Sequence, residues 1–258
     1  MNLLKSEFRK LVYARSTYGL LLASILLASL SAGVSPYVLS RVKMMGIGGL
    51  SQSNIVDTVY GKAASAYLFA IILGVLMMAG EFRQGTAVAT FLAAPKRSRV
   101  FLAKVSVAAI AGALFQLISA GIGMTTATIA LSFYPEAAAP GDTAILDTTL
   151  AALISGAVLA VVGVGVGALL RSQIIGIVSV MVWLNVIEPI MLLVFPDGAK
   201  WWATGAISGM LNLHVKATRI GLNTEHYLEP WQASLLLLGY GAAVAAIALV
   251  TTMRRDVD

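Results

Sequence analysis

The chain has 258 residues, 59% of them hydrophobic and 12% charged, with a mean hydropathy of +0.87. A soluble domain carries about 25% charged residues, so this supply cannot clothe a water-facing surface, and disorder demands the opposite balance. The lack of cysteine excludes disulfides, thiolate catalysis and cysteine zinc sites, and a formal charge of +6 on 18 Lys and Arg points to anionic lipid or membrane topology rather than nucleic acid.

In chain order, residues 1–16 come first. Leu4, Phe8, Leu11 and Val12 recur at helical spacing, while Lys5, Arg9 and Lys10 fall elsewhere on the wheel. That pattern predicts an amphipathic helix lying in the membrane interface. A cleaved signal peptide is the competing reading of the basic start and the apolar run behind it. Six stretches then approach the ~20 apolar residues a crossing helix needs: 18–38, 63–79, 105–131, 150–170, 174–195 and 233–253. No ten-residue alternation suggests a transmembrane barrel. The expected fold is therefore an all-α polytopic membrane protein of six transmembrane helices, a single domain over 1–258, without internal repeats.

With the N-terminus inside, twelve of the 18 basic residues fall on inner segments and six on outer ones, so the positive-inside rule places both termini in the cytoplasm. The outer segment 39–62 holds Gly46, Gly48 and Gly49, as a mobile loop would, and 132–149 reads as a solvated loop. Spans four and five are joined by a tight turn at Arg171. The outer segment 196–232 carries Trp201, Trp202 and Trp231 as candidates for the aromatic belt of the membrane interface, and its apolar piece 203–213 is a candidate for re-entering the membrane.

Catalytic patterns are missing. His214 and His226 both lie in the last outer loop, no span contains a histidine, and no phosphate-binding G-x-x-x-x-G-K-[ST] loop occurs. The chain is expected not to be an enzyme and to hold no cofactor or metal of its own. The informative segment is the inner loop 81–99. Gly80 ends a span, Gly85 permits a turn, Thr86 can cap a short helix through Leu92, and Pro95 stops it before Lys96, Arg97 and Arg99. Such a loop presents Phe91 and Leu92 either to the inner leaflet or to a cytosolic partner.

On these residues the chain resembles the permease subunit of a six-span, type-2 ATP-binding-cassette exporter, with an actinobacterial flavour. The similar stretches are 4–10 with 15–17, the run Glu81-Phe82-Arg83-Gln84-Gly85-Thr86 with Ala94-Pro95-Lys96-Arg97, Gly163 to Gly167 before Arg171, and Arg254-Arg255-Asp256. The resemblance implies an elbow helix over 1–16 and a coupling helix near 81–95, with Glu81, Phe82, Arg83, Gln84, Thr86, Phe91 and Leu92 meeting a separate cytosolic ATPase. That ATPase would bind ATP and Mg. The resemblance also implies a second permease copy, identical or not, in a bacterial plasma membrane.

Two further features carry alternatives. Gly156, Gly163 and Gly167 share nearly one helix face, where small residues let helices approach closely, either within one subunit or between two. Glu188 is the acidic residue deep in a span, with Pro189 behind it and the Asn185 carbonyl freed one turn earlier. It can pin a broken helix, line a substrate path or gate, or carry a proton. The leading expectation is export driven by a partner's ATP hydrolysis. The alternatives are a stand-alone secondary transporter or channel that uses Glu188, and an accessory membrane scaffold.

Overall fold

In the computed structural model the described residues are 3–42, 50–83, 85, 97–210, 216–217, 222–223 and 228–251. Outside them lie Gly46, Gly48, Gly49, Gln84, Thr86, Phe91, Leu92, Pro95, His214, His226 and the closing 254–256. The described chain is mostly helical, with connections such as 132–143 between helices and a two-residue antiparallel pairing of β1 (Lys216–Ala217) with β2 (Leu222–Asn223). Six helical stretches are long and apolar enough to cross a membrane, which makes this a multi-pass membrane protein.

The short helix α1 (Leu3–Tyr13) precedes α2 (Arg15–Val42), hinged at Ala14, where the Thr17 hydroxyl donates to the Leu11 carbonyl at 2.9 Å. Leu4, Phe8 and Val12 stay exposed along one side of α1, while Glu7 turns inward. Pro36 within α2 has no N–H for the carbonyl of Ala32, and the Ser35 hydroxyl supplies the missing donor at 2.9 Å.

The second span begins earlier than the hydropathy predicts. It is assembled from α3 (Ser53–Gly61), a 3₁₀ stretch Lys62–Ala66 and α4 (Tyr67–Arg83), and so takes in Asp57 and Lys62, which the sequence reading assigned to a loop. Asp57 is accommodated because its Oδ1 accepts the Gly141 N–H at 2.8 Å. The 3₁₀ stretch leaves a carbonyl at Ala64 for the buried Gln116 amide, at 2.7 Å. The third and fourth spans are also longer than expected: α5 covers Arg97–Leu131 and α6 covers Ala144–Leu170. At about 1.5 Å per residue, α5 exceeds the ~30 Å hydrocarbon core and projects beyond it.

The helix α6 is the axis of the bundle. Against it pack α4, α5 and the last helix α10 (Pro230–Thr251). The contacts are close enough to exclude any side chain. A Cβ on Gly163 would stand 2.1 Å from the Ile71 carbonyl oxygen, one on Gly74 2.0 Å from that of Ala160, and one on Gly156 2.2 Å from that of Gly112. Gly167 faces the Val75 carbonyl at 2.8 Å in the same sense. Gly156, Gly163 and Gly167 are thus spent on packing inside one chain and are covered from any second copy.

The fifth span is helical throughout but contains a π turn. It runs as α7 (Gln173–Val182), a π-helical turn Trp183–Ile187 and α8 (Glu188–Val194). After a 3₁₀ turn over Pro196–Trp201 the chain folds back as α9 (Ala203–Met210). Ala206, Ile207 and Met210 of α9 are buried with Ala151, Ala152, Ala233 and Leu237, residues that belong to α6 and α10. The apolar piece expected near 203–213 is therefore packed among the spans over its described length.

Candidate functional site

Two places gather polar groups that an apolar bundle has to explain. The first lies at the α1 end. Glu7, Glu81 and Lys104 are 3%, 6% and 1% exposed, and with Lys10 they form an alternating ring of charge. Lys104 Nζ bonds the Glu7 carboxylate and reaches Glu81 Oε1 at 2.8 Å. Lys10 Nζ bonds Glu7 Oε1 at 2.7 Å and Glu81 Oε1 at 2.6 Å. Each ammonium bridges the same two carboxylates, so the ring is formally neutral, the condition under which buried charges are tolerated.

The ring joins α1, the end of α4 and the beginning of α5. Neighbouring residues extend the network to the turn between α6 and α7. Arg83 Nη1 donates to Gln173 Oε1 at 2.9 Å, and the Arg171 guanidinium lies 5.5 Å from the centre of the Phe82 ring. Arg171 ends α6 with φ of 51°, its N–H donating to the Gly167 carbonyl, and the Ser172 hydroxyl caps α7 by accepting from the Ile175 N–H. Gly85, with φ of +66°, makes the turn that its sequence position suggested.

Of the residues the resemblance assigns to coupling, Glu81, Phe82 and Arg83 are described. Glu81 is 6% exposed and points into the ring, where its Oε1 is shared by the Lys10 and Lys104 ammoniums. Phe82 packs beneath Arg171, and Arg83 is held by Gln173. Gln84, Thr86, Phe91 and Leu92 lie outside the described residues. Glu7, Lys10 and Lys104 carry the ring without having been singled out in the sequence. The available signal was an acidic residue inside an otherwise basic interfacial helix.

Burial alone would raise the Glu7 carboxyl above its ordinary value of 4.5, but Lys104 and Lys10 overcome that and hold it lower. Lys10 is raised above its ordinary 10.5, since its bonds to Glu7 and Glu81 outweigh its desolvation. A depressed carboxyl stabilises fully above its ordinary value and stops doing so as pH falls through the folded one. A raised ammonium stabilises below its ordinary value and stops as pH rises through the folded one. The melting-temperature difference between the native chain and Glu7→Gln, measured in detergent, should therefore be flat from about pH 5 to pH 10 and shrink as the solution is acidified below 4.5.

The second place is Glu188, which is 0% exposed. Oε1 accepts the Trp183 indole N–H at 2.6 Å and the Ala203 N–H at 3.2 Å, and Oε2 accepts the Thr204 N–H at 2.6 Å. Ala203 and Thr204 open α9, so a side chain from another helix satisfies backbone donors that would otherwise lack partners. The π turn makes this possible: the Glu188 N–H bonds the Trp183 carbonyl five residues back, which brings the indole N–H onto the carboxylate. Asn185 and Pro189 point elsewhere. Both are exposed, with the Asn185 amide donating to the Met181 carbonyl at 3.0 Å, so only Glu188 of the three faces the interior.

What Glu188 faces is a cavity of about 610 Å³ between α6, α7 and α10, roofed by α9. Among the described residues no group of three or more His, Asp and Glu gathers as a metal site would. No family model and no curated protein matches the sequence.

Proposed function

We propose that the chain is the membrane-spanning subunit of an ATP-driven exporter, coupled to a separate cytosolic ATPase through the loop between α4 and α5. Both termini and the α1 end then lie in the cytoplasm of a bacterial cell, in accord with the excess of Lys and Arg on that side. A second copy completes the substrate path.

One observation carries the reading. The loop leaves α4 two residues after Glu81 and returns in α5 about two turns before Lys104, and those two residues close the buried ring with Glu7 and Lys10 of α1. A partner pulling on this loop cannot simply fray one helix end, because the ring ties both flanks to each other and to α1. Arg83–Gln173 and Arg171–Phe82 carry the same displacement to the base of α7. A push on residues 84–96 therefore moves four helices as a unit, as coupling to a distant ATPase requires. ATP can drive such a movement only by binding one arrangement more tightly than the other.

The tagged chain extracted from its native membrane in mild detergent is expected to bring down a cytosolic ATPase in stoichiometric amount. Replacing Phe91 and Leu92 by Asp should release that ATPase while leaving the melting temperature unchanged. Retention of the ATPase by the double variant would remove the loop from the interface. Absence of any ATPase under several extraction conditions would defeat the reading.

A further inference from the structure

We propose that the cavity beneath α9 is a binding site for lipophilic monovalent cations, with Glu188 as the counter-charge and aromatic side chains around its charged end. This goes beyond the ATP-driven reading and does not need it, since binding is a property of the isolated chain.

The size and walls come first. The volume of about 610 Å³ falls within the range of small-molecule sites, about 300–1,000 Å³. Hydrocarbon from Ile71, Leu159, Val162, Val166, Leu237 and Val244 lines most of it. Along α6 it extends from Leu159 to Leu169, about 15 Å at 1.5 Å per residue. Apart from Ser179, the polar atoms gather at one end, with Glu188, Trp183, Trp201, Trp202 and Tyr240.

The charge is one-sided. The three bonds to the Glu188 carboxylate come from an indole and two backbone N–H groups, and no Lys, Arg or His is among the residues that line the cavity. A carboxylate away from water and without a cationic side chain draws either a proton or a cation. Indole and phenol side chains line the same cavity, and aromatic rings of this kind favour the cation, because their faces attract positive charge. The neighbouring Lys200 ammonium already lies 5.7 Å from the centre of the Trp201 ring. An inorganic cation is not a candidate, because a single carboxylate cannot replace a shell of six or more oxygens.

The route in selects for lipid solubility. Helices α7 and α10 both pack on α6 but scarcely on one another, and Trp183, Tyr240 and Ala243 are exposed at the rim. The slot thus opens sideways from the bundle, so a guest must dissolve in the bilayer and bring its charge with it.

The test sets tetraphenylphosphonium against tetraphenylborate, two ions of similar shape and opposite charge, titrated calorimetrically into the purified chain in nanodiscs of phosphatidylcholine. Saturable binding of the cation is expected, with the anion weaker by at least about tenfold. Glu188→Gln and the cavity-filling Ala243→Phe should each weaken the cation by about tenfold or more. Equal affinity for the two ions overturns the proposal, as does lack of saturable cation binding to a chain with an intact melting transition. Should Glu188→Gln fail to fold because α9 loses its cap, unchanged cation affinity in Ala243→Phe overturns it alone.

Discussion

Replacing Lys104 by Met is expected to destabilise the chain by about 3–5 kcal/mol. The ammonium is 1% exposed and bridges Glu7 to Glu81. Without it two buried carboxylates share Lys10 alone, so one must take up a proton or be driven toward water, and α1 loses its hold on α4 and α5. The measurement is the melting temperature of the purified chain in detergent. Lys104→Met combined with Glu81→Gln restores charge balance and should recover a substantial part of the loss. Lys10→Met should cost less, because that side chain is 46% exposed and water can solvate what it leaves behind. An unaffected melting temperature in Lys104→Met would show that the ring contributes nothing to holding α1. The coupling argument would then lose its mechanical basis.

The second large effect is expected at the crossing of α4 and α6. Gly163→Ala places a methyl 2.1 Å from the Ile71 carbonyl oxygen, and the atom it meets belongs to backbone that cannot rotate aside. Overpacking of this kind costs about 1–3 kcal/mol where side chains can yield, and more where they cannot. Gly163→Ala should therefore lower the yield of monodisperse protein sharply, and Gly163→Val should abolish it. Gly121→Ala is the matched control, since nothing lies within 4 Å of its Cβ position. There the gain in helix propensity, up to about 1 kcal/mol, should leave the protein neutral or slightly more stable. Equal behaviour of the two alanine variants would mean that α4 and α6 stand further apart than described.

Glu188 combines both kinds of constraint. Three N–H donors converge on it, which favours pinning of the fifth span and of α9 among the roles the sequence left open. Yet it also faces the cavity, so pinning and ligand recognition can share one carboxylate. The donors hold its position, and the absence of a cationic side chain from the lining keeps its charge available.

Much of the fold was legible because hydropathy acts locally. A run such as 105–131 must leave water whatever its neighbours do, and each of the six apolar runs overlaps a helix of crossing length. Boundaries were less legible where polar residues are paid for by partners far along the chain. Asp57 reads as a loop residue until Gly141 is brought to it, and Lys62 reads as a loop charge until the 3₁₀ stretch carries it into the second span. For the same reason nothing in the sequence sets Lys104 apart from the other basic residues of the inner segments. Its partners stand 97 and 23 positions away, separations at which no sequence periodicity reports a contact.

Composition and apolar periodicity by themselves determined the solvent of this protein, the number of its crossing-length helices and the amphipathic pattern of its first helix. Each follows from the cost of exposing one segment, a property that segment carries alone. Only the tertiary structure decided that Glu7, Lys10, Glu81 and Lys104 neutralise one another, that the glycines of α6 serve its own bundle, and that Glu188 caps α9 above a cavity. Those outcomes depend on pair distances between segments. Charge neutralisation and close packing are energies of pairs, and a linear pattern contains no pairs until the chain has folded.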